Sequence, residues 1–238
     1  MSRSALLLGA TGLIGGCVLD YLLADESYEK ITTIGRRKIE GREHRKLTQI
    51  IADLDTMLGL PDDPKQLPSG ASKDLQELSA AFSASEIFCT LGTTMKKAGS
   101  KAAFEKVDYH APLKAAGLGI ARGAKQFLIV TALGADAKSA IYYNQVKGRV
   151  EDALLQHQFH SIHIFQPSLL TGDRGESRLG EDIGKAVGGV LGLAMIGPLK
   201  KYKPIPGRTV ARAMLAAARK ADSGVHSYES DTIYEMAP

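Results

Sequence analysis

The chain has 238 residues, 44% of them hydrophobic and 24% charged, and a formal net charge of +4. That length suits one large α/β domain with an ample core, and so modest a charge excludes a dedicated nucleic-acid binder, whose basic residues would crowd one element. The two cysteines, Cys17 and Cys89, lack metal-ligand spacing and make no disulfide framework, so both read as buried thiols.

In chain order, Ala5 to Leu8 is a short continuous apolar run, the signature of a strand buried on both faces of a parallel sheet. Leu13, Ile14, Val18, Leu19, Leu22 and Leu23 follow at helical spacing. Ile31 to Ile34 and Gln49 to Ile51 are the next strands. Residues 59–70, rich in Pro, Gly and Asp, read as an exposed loop. Leu75 to Phe82 is a helix and Glu86 to Cys89 a fourth strand. Ser100 to Arg122 is helical, with Pro112 predicting a kink or break near His110-Ala111. Gln126 to Val130 is strand five, Ser139 to His157 a long helix, and Ser161 to Phe165 strand six. Glu181 to Leu191 and Arg208 to Lys220 complete the helices. This alternation predicts a doubly wound parallel sheet of Rossmann type, with helices on both faces. The expectation is a single domain, with residues 1–165 forming the nucleotide-binding part and 166–238 a small C-terminal substrate-side extension packed on it. Met1 to Ser4 leads straight into the first strand, leaving no room for a secretory signal. The most apolar stretch, Ala186 to Leu199, carries four glycines and a proline. It is too short to span a bilayer and reads as a packed helix end and loop. A cytoplasmic protein without an integral membrane segment is expected.

The first strand ends in Gly9-Ala10-Thr11-Gly12-Leu13-Ile14-Gly15. Gly9 can turn the chain, Gly12 lets backbone approach a pyrophosphate, and Gly15 lets the helix pack on the strand. The helix N-terminus then offers free N–H groups and a positive dipole end. A chain this rich in glycine yields about 0.3 such triplets by chance, so the bare match is weak and its place at the first strand–helix junction carries the weight. The second strand ends in Gly35-Arg36-Arg37-Lys38. No acid stands there to hold a ribose 2′-OH, and two arginines can bind a 2′-phosphate in charge-assisted, bidentate fashion. NADP(H) is therefore expected over NAD(H). The basic run through Arg42, Arg45 and Lys46 lacks interleaved aromatics and reads as a solvated loop rather than a nucleic-acid patch. Asp53, followed by Leu54, either accepts from the adenine amino group or caps a helix.

Tyr143 and Lys147 lie four apart on the long helix and share one face. A phenol is a poor acid–base catalyst at neutral pH, and a cation one turn away stabilises its phenolate. The tyrosine can then exchange a proton with a substrate oxygen while hydride moves to or from a nicotinamide, and the lysine can also hold the nicotinamide ribose. Tyr142 is the neighbouring candidate, but Val146 occupies the position one turn on. Thr131, just after strand five, is the candidate holder of the substrate oxygen.

Together with Cys89-Thr90-Leu91-Gly92-Thr93-Thr94, Gly134-Ala135-Asp136 and Gln166-Pro167-Ser168, these motifs come in an order and spacing that resemble the atypical short-chain dehydrogenase/reductases, especially the Tat-interacting-protein family of oxidoreductase-like proteins. The likeness runs from about Ala5 to Arg178. It implies NADP(H) binding, a tyrosine–lysine pair at Tyr143 and Lys147, Leu91, Gly92 and Thr93 against the cofactor, and Gln166, Pro167 and Ser168 near the nicotinamide. The chain departs from the resemblance where relatives usually carry a serine pair, here Thr131-Ala132, where they often have arginine, here Gln166, and in the proline-rich loop 59–70. The first expectation is thus an NADPH-dependent oxidoreductase of a small carbonyl or alcohol. The alternatives are a non-catalytic NADP(H) sensor acting through a protein partner, and a sugar-nucleotide epimerase or dehydratase. A homodimer stays open, and Arg174, Arg178 and Arg208 read as surface charge or as contacts for an anionic substrate.

Overall fold

The computed structural model describes residues 3–172 and 197–237. Seven parallel strands form the central sheet in the order β3-β2-β1-β4-β5-β6-β9. They are β1 (Arg3–Leu8), β2 (Tyr28–Gly35), β3 (Leu47–Ile51), β4 (Glu86–Cys89), β5 (Gln126–Val130), β6 (Ser161–Gln166) and β9 (Gly224–Glu229). A small parallel pair, β7 (Leu170–Thr171) with β8 (Ile205–Pro206), lies outside it.

The doubly wound sheet expected from the sequence is the one found, and the apolar run of β1 shows why. Ala5 and Leu7 point into one hydrophobic layer and Leu6 and Leu8 into the other, because successive strand side chains face opposite ways. Each leucine so buried contributes about 1.5–3 kcal/mol. One layer is closed by α1 (Leu13–Ala24), α8 (Gly207–Lys220) and α9 (Ser230–Met236). The other is closed by α2 (Leu54–Leu58), α3 (Lys73–Ala81), α6 (Ala111–Ala121) and α7 (Tyr142–Leu154). Chain order reverses between β1 and β4, and that switch point opens a crevice at the C-terminal ends of the strands.

Several expectations change. The region 100–122 stays helical through Pro112, and the kink or break expected near His110-Ala111 takes the form of a π-helical turn that ends there. It runs as α5 (Lys101–Glu105), a π-helical turn Lys106–His110, and α6. The widened turn lets Ala111 N donate to Lys106 O, and Pro112, in the first turn of α6, sits where a missing N–H does least harm. The helix expected from Ser139 begins only at Tyr142, after a turn in which Asp136 N donates to Asn144 O. Short α4 (Met95–Ala98) and strand β9 were not anticipated, and β9 extends the sheet beyond six strands. Loop 59–70 is mostly exposed, as expected, but Leu60 is buried and Lys114 Nζ donates to Asp62 Oδ1 at 2.6 Å. Lys46 is buried, with Nζ 3.1 Å from both Asp25 O and Glu26 Oε1, so the basic run is not a uniformly solvated loop. The expected helix Glu181 to Leu191, with Arg174 and Arg178, lies outside the described residues.

Candidate dinucleotide site

The crevice at the switch point is a cleft of about 1910 Å³. Its floor is the glycine turn after β1. Gly9 has φ +86°, and a Cβ there would stand 2.7 Å from Thr90 backbone atoms. A Cβ at Gly15 would stand 2.1 Å from Gly9 O and 2.6 Å from Thr90 Oγ1. These two positions therefore require glycine, the first for the turn and the second for seating α1 against β1 and β4. No side chain caps the α1 N-terminus at Gly12, which leaves its first-turn N–H groups open to an anion. Gly9, Thr11, Gly12, Leu13 and Ile14 line the cleft, while Gly15 packs behind it.

Arg36 and Arg37 lie exposed on the cleft wall just past β2, and neither has an ion-pair or hydrogen-bond partner among the described residues. The neighbouring cations are engaged, Arg42 by Asp20 and Arg45 by Glu26. Asp53 Oδ1 caps α2, accepting from Thr56 N and Oγ1, each at 2.8 Å. Those bonds hold its carboxyl below the usual carboxylate range, and Asp53 and Leu54 also line the cleft. Cys17, expected to be buried, is only half-buried and lines the cleft from α1. Cys89 is buried, and desolvation pushes its thiol up to about 12.

On the opposite wall stand Thr131, Tyr143 and Lys147. Phe104 packs on Tyr143 with ring centroids 5.7 Å apart. Tyr142 is turned to α5, under Lys101 at 4.6 Å, and burial and then its bond with Glu105 raise its hydroxyl above the ordinary value. Gly148 lets this helix approach the loop after β5, because a Cβ there would lie 2.1 Å from Ala137 N. Lys147 is buried and meets Asp108 Oδ1 as an ion pair at 2.8 Å, without an aligned hydrogen bond. Burial alone would lower the Lys147 ammonium; the charges of Asp108 and then Tyr143 outweigh it and hold it above the usual lysine value.

Asp108 was missed by sequence reasoning. Its other oxygen accepts from Thr93 N at 2.9 Å, tying the Leu91-Gly92-Thr93 loop, which also lines the cleft, to the lysine. The signal was Pro112 inside a helical pattern, which marks the π turn that carries Asp108. Glu151 was also missed. It lies one turn beyond Lys147 and accepts from Gln166 Nε2 at 2.9 and 3.1 Å. Burial raises its carboxyl, partly offset by bonds from Thr131 and Gln166. Thr131 itself is 5% exposed, with Oγ1 3.4 Å from Phe165 O. Pro167 and Ser168 do not line the cleft. The Ser168 hydroxyl donates to Lys203 O at 2.5 Å, and it is Leu170, Thr171 and Gly172 that reach the wall, joined by Arg208.

This fold, with its glycine turn, belongs to the NAD(P)-binding Rossmann proteins of short-chain dehydrogenase/reductase type. The chain is 34% identical over 217 residues to protein HTATIP2 of Rattus norvegicus, covering 90% of this chain and 80% of that protein. It is 30% identical to protein FMP52-1, mitochondrial, of Scheffersomyces stipitis, covering 98% of each. The chain is a member of this HTATIP2/FMP52 family, the Tat-interacting-protein branch of the atypical short-chain dehydrogenase/reductases. No protein-family model matches it. Among solved structures, Bordetella bronchiseptica WbmH in complex with NAD+ superposes with a TM-score of 0.66 at 13% identity, covering 99% of this chain and 79% of that one. A Veillonella parvula short-chain dehydrogenase/reductase in complex with NADP gives 0.57 at 14%, covering 93% and 89%. These structural likenesses bear on the fold alone.

The comparisons overturn the cytoplasmic expectation, because the fungal FMP52 relatives are named mitochondrial. The free Cys17 and Cys89 fit a reducing setting and do not separate the cytosol from another reducing compartment. No helix among the described residues is long and apolar enough to cross a membrane.

Proposed function

We propose that the protein is an NADP(H)-dependent oxidoreductase acting on a small carbonyl or alcohol, with residues 1–165 holding the nucleotide and 166–238 contributing the substrate side. The observation that carries this reading is the pairing of two walls of one cleft: Arg36 and Arg37, without partners among the described residues, on one side, Tyr143 with Lys147 on the other.

The residues fit the cofactor. The glycine cradle has no room for a Cβ at Gly9 or Gly15, and the uncapped start of α1 suits a pyrophosphate. Arg36 and Arg37 would take a 2′-phosphate, Asp53 and Leu54 the adenine end, and Leu91 to Thr93 the nicotinamide half. Bound there, the nicotinamide supplies or accepts the hydride. In reduction, Tyr143 passes its hydroxyl proton to the carbonyl oxygen as the carbonyl carbon receives hydride, giving the alcohol; solvent then returns a proton to the tyrosine. Lys147 stands beside the tyrosine, and its ammonium would bind the ribose hydroxyls of a bound nucleotide. Thr131 is the weakest part, since its hydroxyl is taken up by Phe165 O and Glu151 and Ala132 brings no second hydroxyl.

That weakness favours one second reading, an NADP(H) sensor that signals through a protein partner without efficient turnover. Assay of NADPH consumption against a panel of small aldehydes and ketones separates the two. The oxidoreductase reading expects turnover that Tyr143→Phe abolishes. Unchanged rates in that variant remove the tyrosine from the mechanism, and tight NADPH binding with no turnover on any carbonyl leaves the sensor.

A further inference from the structure

The lysine beside Tyr143 is not an isolated cation. Asp108 is fully buried on the π turn, and its two oxygens reach two different walls of the cleft. Oδ2 accepts from Thr93 N at 2.9 Å, and Oδ1 stands 2.8 Å from Lys147 Nζ. The side chains are 0% and 5% exposed, so water screens the pair little.

The other groups around the tyrosine do not restore a net positive charge. Cys89, from β4, is a neutral thiol, pushed up to about 12 by burial. Glu151, further along α7, is acidic and lies within reach of the Lys147 charge. Phe104 from α5 presents an apolar ring. Glu105 is bound by Arg149 at 2.6 Å, and Lys101 lies over Tyr142, so these charges engage other groups. Seen from Tyr143, Lys147 and Asp108 are therefore a short dipole and not a monopole.

We propose that Asp108 is a positioning residue that offsets the Lys147 charge at Tyr143, so that the tyrosine hydroxyl is a weaker acid than a lone lysine beside it would make it, which suits it to proton donation in carbonyl reduction. This rests on the oxidoreductase reading above. Reduction begins with the tyrosine hydroxyl donating its proton to the substrate oxygen as the carbonyl carbon takes hydride. Alcohol oxidation must begin with the phenolate accepting the alcohol proton as hydride leaves carbon, and a lysine whose charge is offset stabilises that phenolate less than a lone one. The bond to Thr93 N gives Asp108 a second task, fixing the loop beside the nicotinamide half of the cleft to the same carboxylate.

The test is a pH titration of phenolate ultraviolet absorbance on the unliganded full chain, with the Tyr143 contribution isolated as the difference from Tyr143→Phe. Asp108→Asn keeps an acceptor for Thr93 N but removes the charge. It should move the Tyr143 signal to lower pH by about one unit or more, the effect expected of one elementary charge at this range. Lys147→Met should move it the other way, and the Asp108→Asn/Lys147→Met double variant should return close to wild type. An unmoved signal in Asp108→Asn overturns the proposal. If that variant does not fold, Lys147→Met and the double variant decide, and a Lys147→Met signal that stays at the wild-type pH overturns it equally. Where turnover is found, the alkaline limb of carbonyl reduction should move down with Asp108→Asn. Where no variant turns over any carbonyl, the oxidoreductase reading fails and the phenolate titration still decides the role of Asp108.

Discussion

Replacing Gly15 with alanine puts the cradle under direct strain. The added methyl would stand 2.1 Å from Gly9 O and 2.6 Å from Thr90 Oγ1. Neither neighbour can swing away: Gly9 O belongs to the turn and accepts from Gly12 N at 2.9 Å, and Thr90 Oγ1 donates to Leu8 O at 2.8 Å. The start of α1 must therefore retreat by roughly 1 Å, an overpacking strain of about 1–3 kcal/mol. The same retreat takes the first-turn N–H groups away from a pyrophosphate. Losing one charge-assisted hydrogen bond of about 1.5–3 kcal/mol weakens binding by about 10- to 150-fold. Thermal melting and calorimetric titration with NADPH measure both effects. A variant that melts with wild type and binds NADPH within about twofold of it, a difference under half a kcal/mol, would refute the close-approach argument.

Other consequences lie away from the cleft. At the opposite end of the sheet, Arg3 Nε and Nη2 donate to Glu86 Oε1 and Oε2 at 2.7 and 2.9 Å, and Tyr28 OH donates to Oε2 at 2.5 Å. Glu86→Ala leaves a half-buried guanidinium and a buried phenol without their acceptor, and chemical denaturation should show a loss of about 2–4 kcal/mol. His163 is buried on β6, with Nδ1 3.0 Å from Tyr228 OH, and burial, then His226, lowers it to about 4. The unfolded chain therefore takes up a proton at higher pH than the native one. Stability from this residue is present above about 6.5 and is lost as pH falls towards 4. Melting temperatures across that window should fall more steeply for wild type than for His163→Gln, and parallel curves would show that His163 does not titrate with unfolding.

Elements with continuous apolar runs, such as β1 and β5, were legible because burial on both faces demands little else of their sequence. Strand β9, Gly-Val-His-Ser-Tyr-Glu, was not, since it lies at the sheet edge, where only one neighbour and partial burial constrain it. The glycine turn, Arg36 and Arg37 could be placed because each follows a strand end at short range. Asp108 could not, because its meaning comes from Lys147 and Thr93, far apart in sequence and joined only by the fold. Ser168 shows the converse: a residue placed by resemblance is turned to Lys203 O, and the cleft wall begins two residues later. Two free thiols speak to redox state alone and do not choose among reducing compartments, which is why the cytoplasmic expectation failed.

The central claim is that the cleft holds NADP(H) through Arg36 and Arg37 past β2, which have no partner among the described residues. The most direct measurement is parallel titration of the wild type and of Arg36→Ala and Arg37→Ala with NADPH and with NADH. The wild type should prefer NADPH, each variant should lose about 10- to 150-fold of NADPH affinity, and NADH binding should change little. Equal wild-type affinity for the two nucleotides, or an equal loss of both in the variants, would contradict the account.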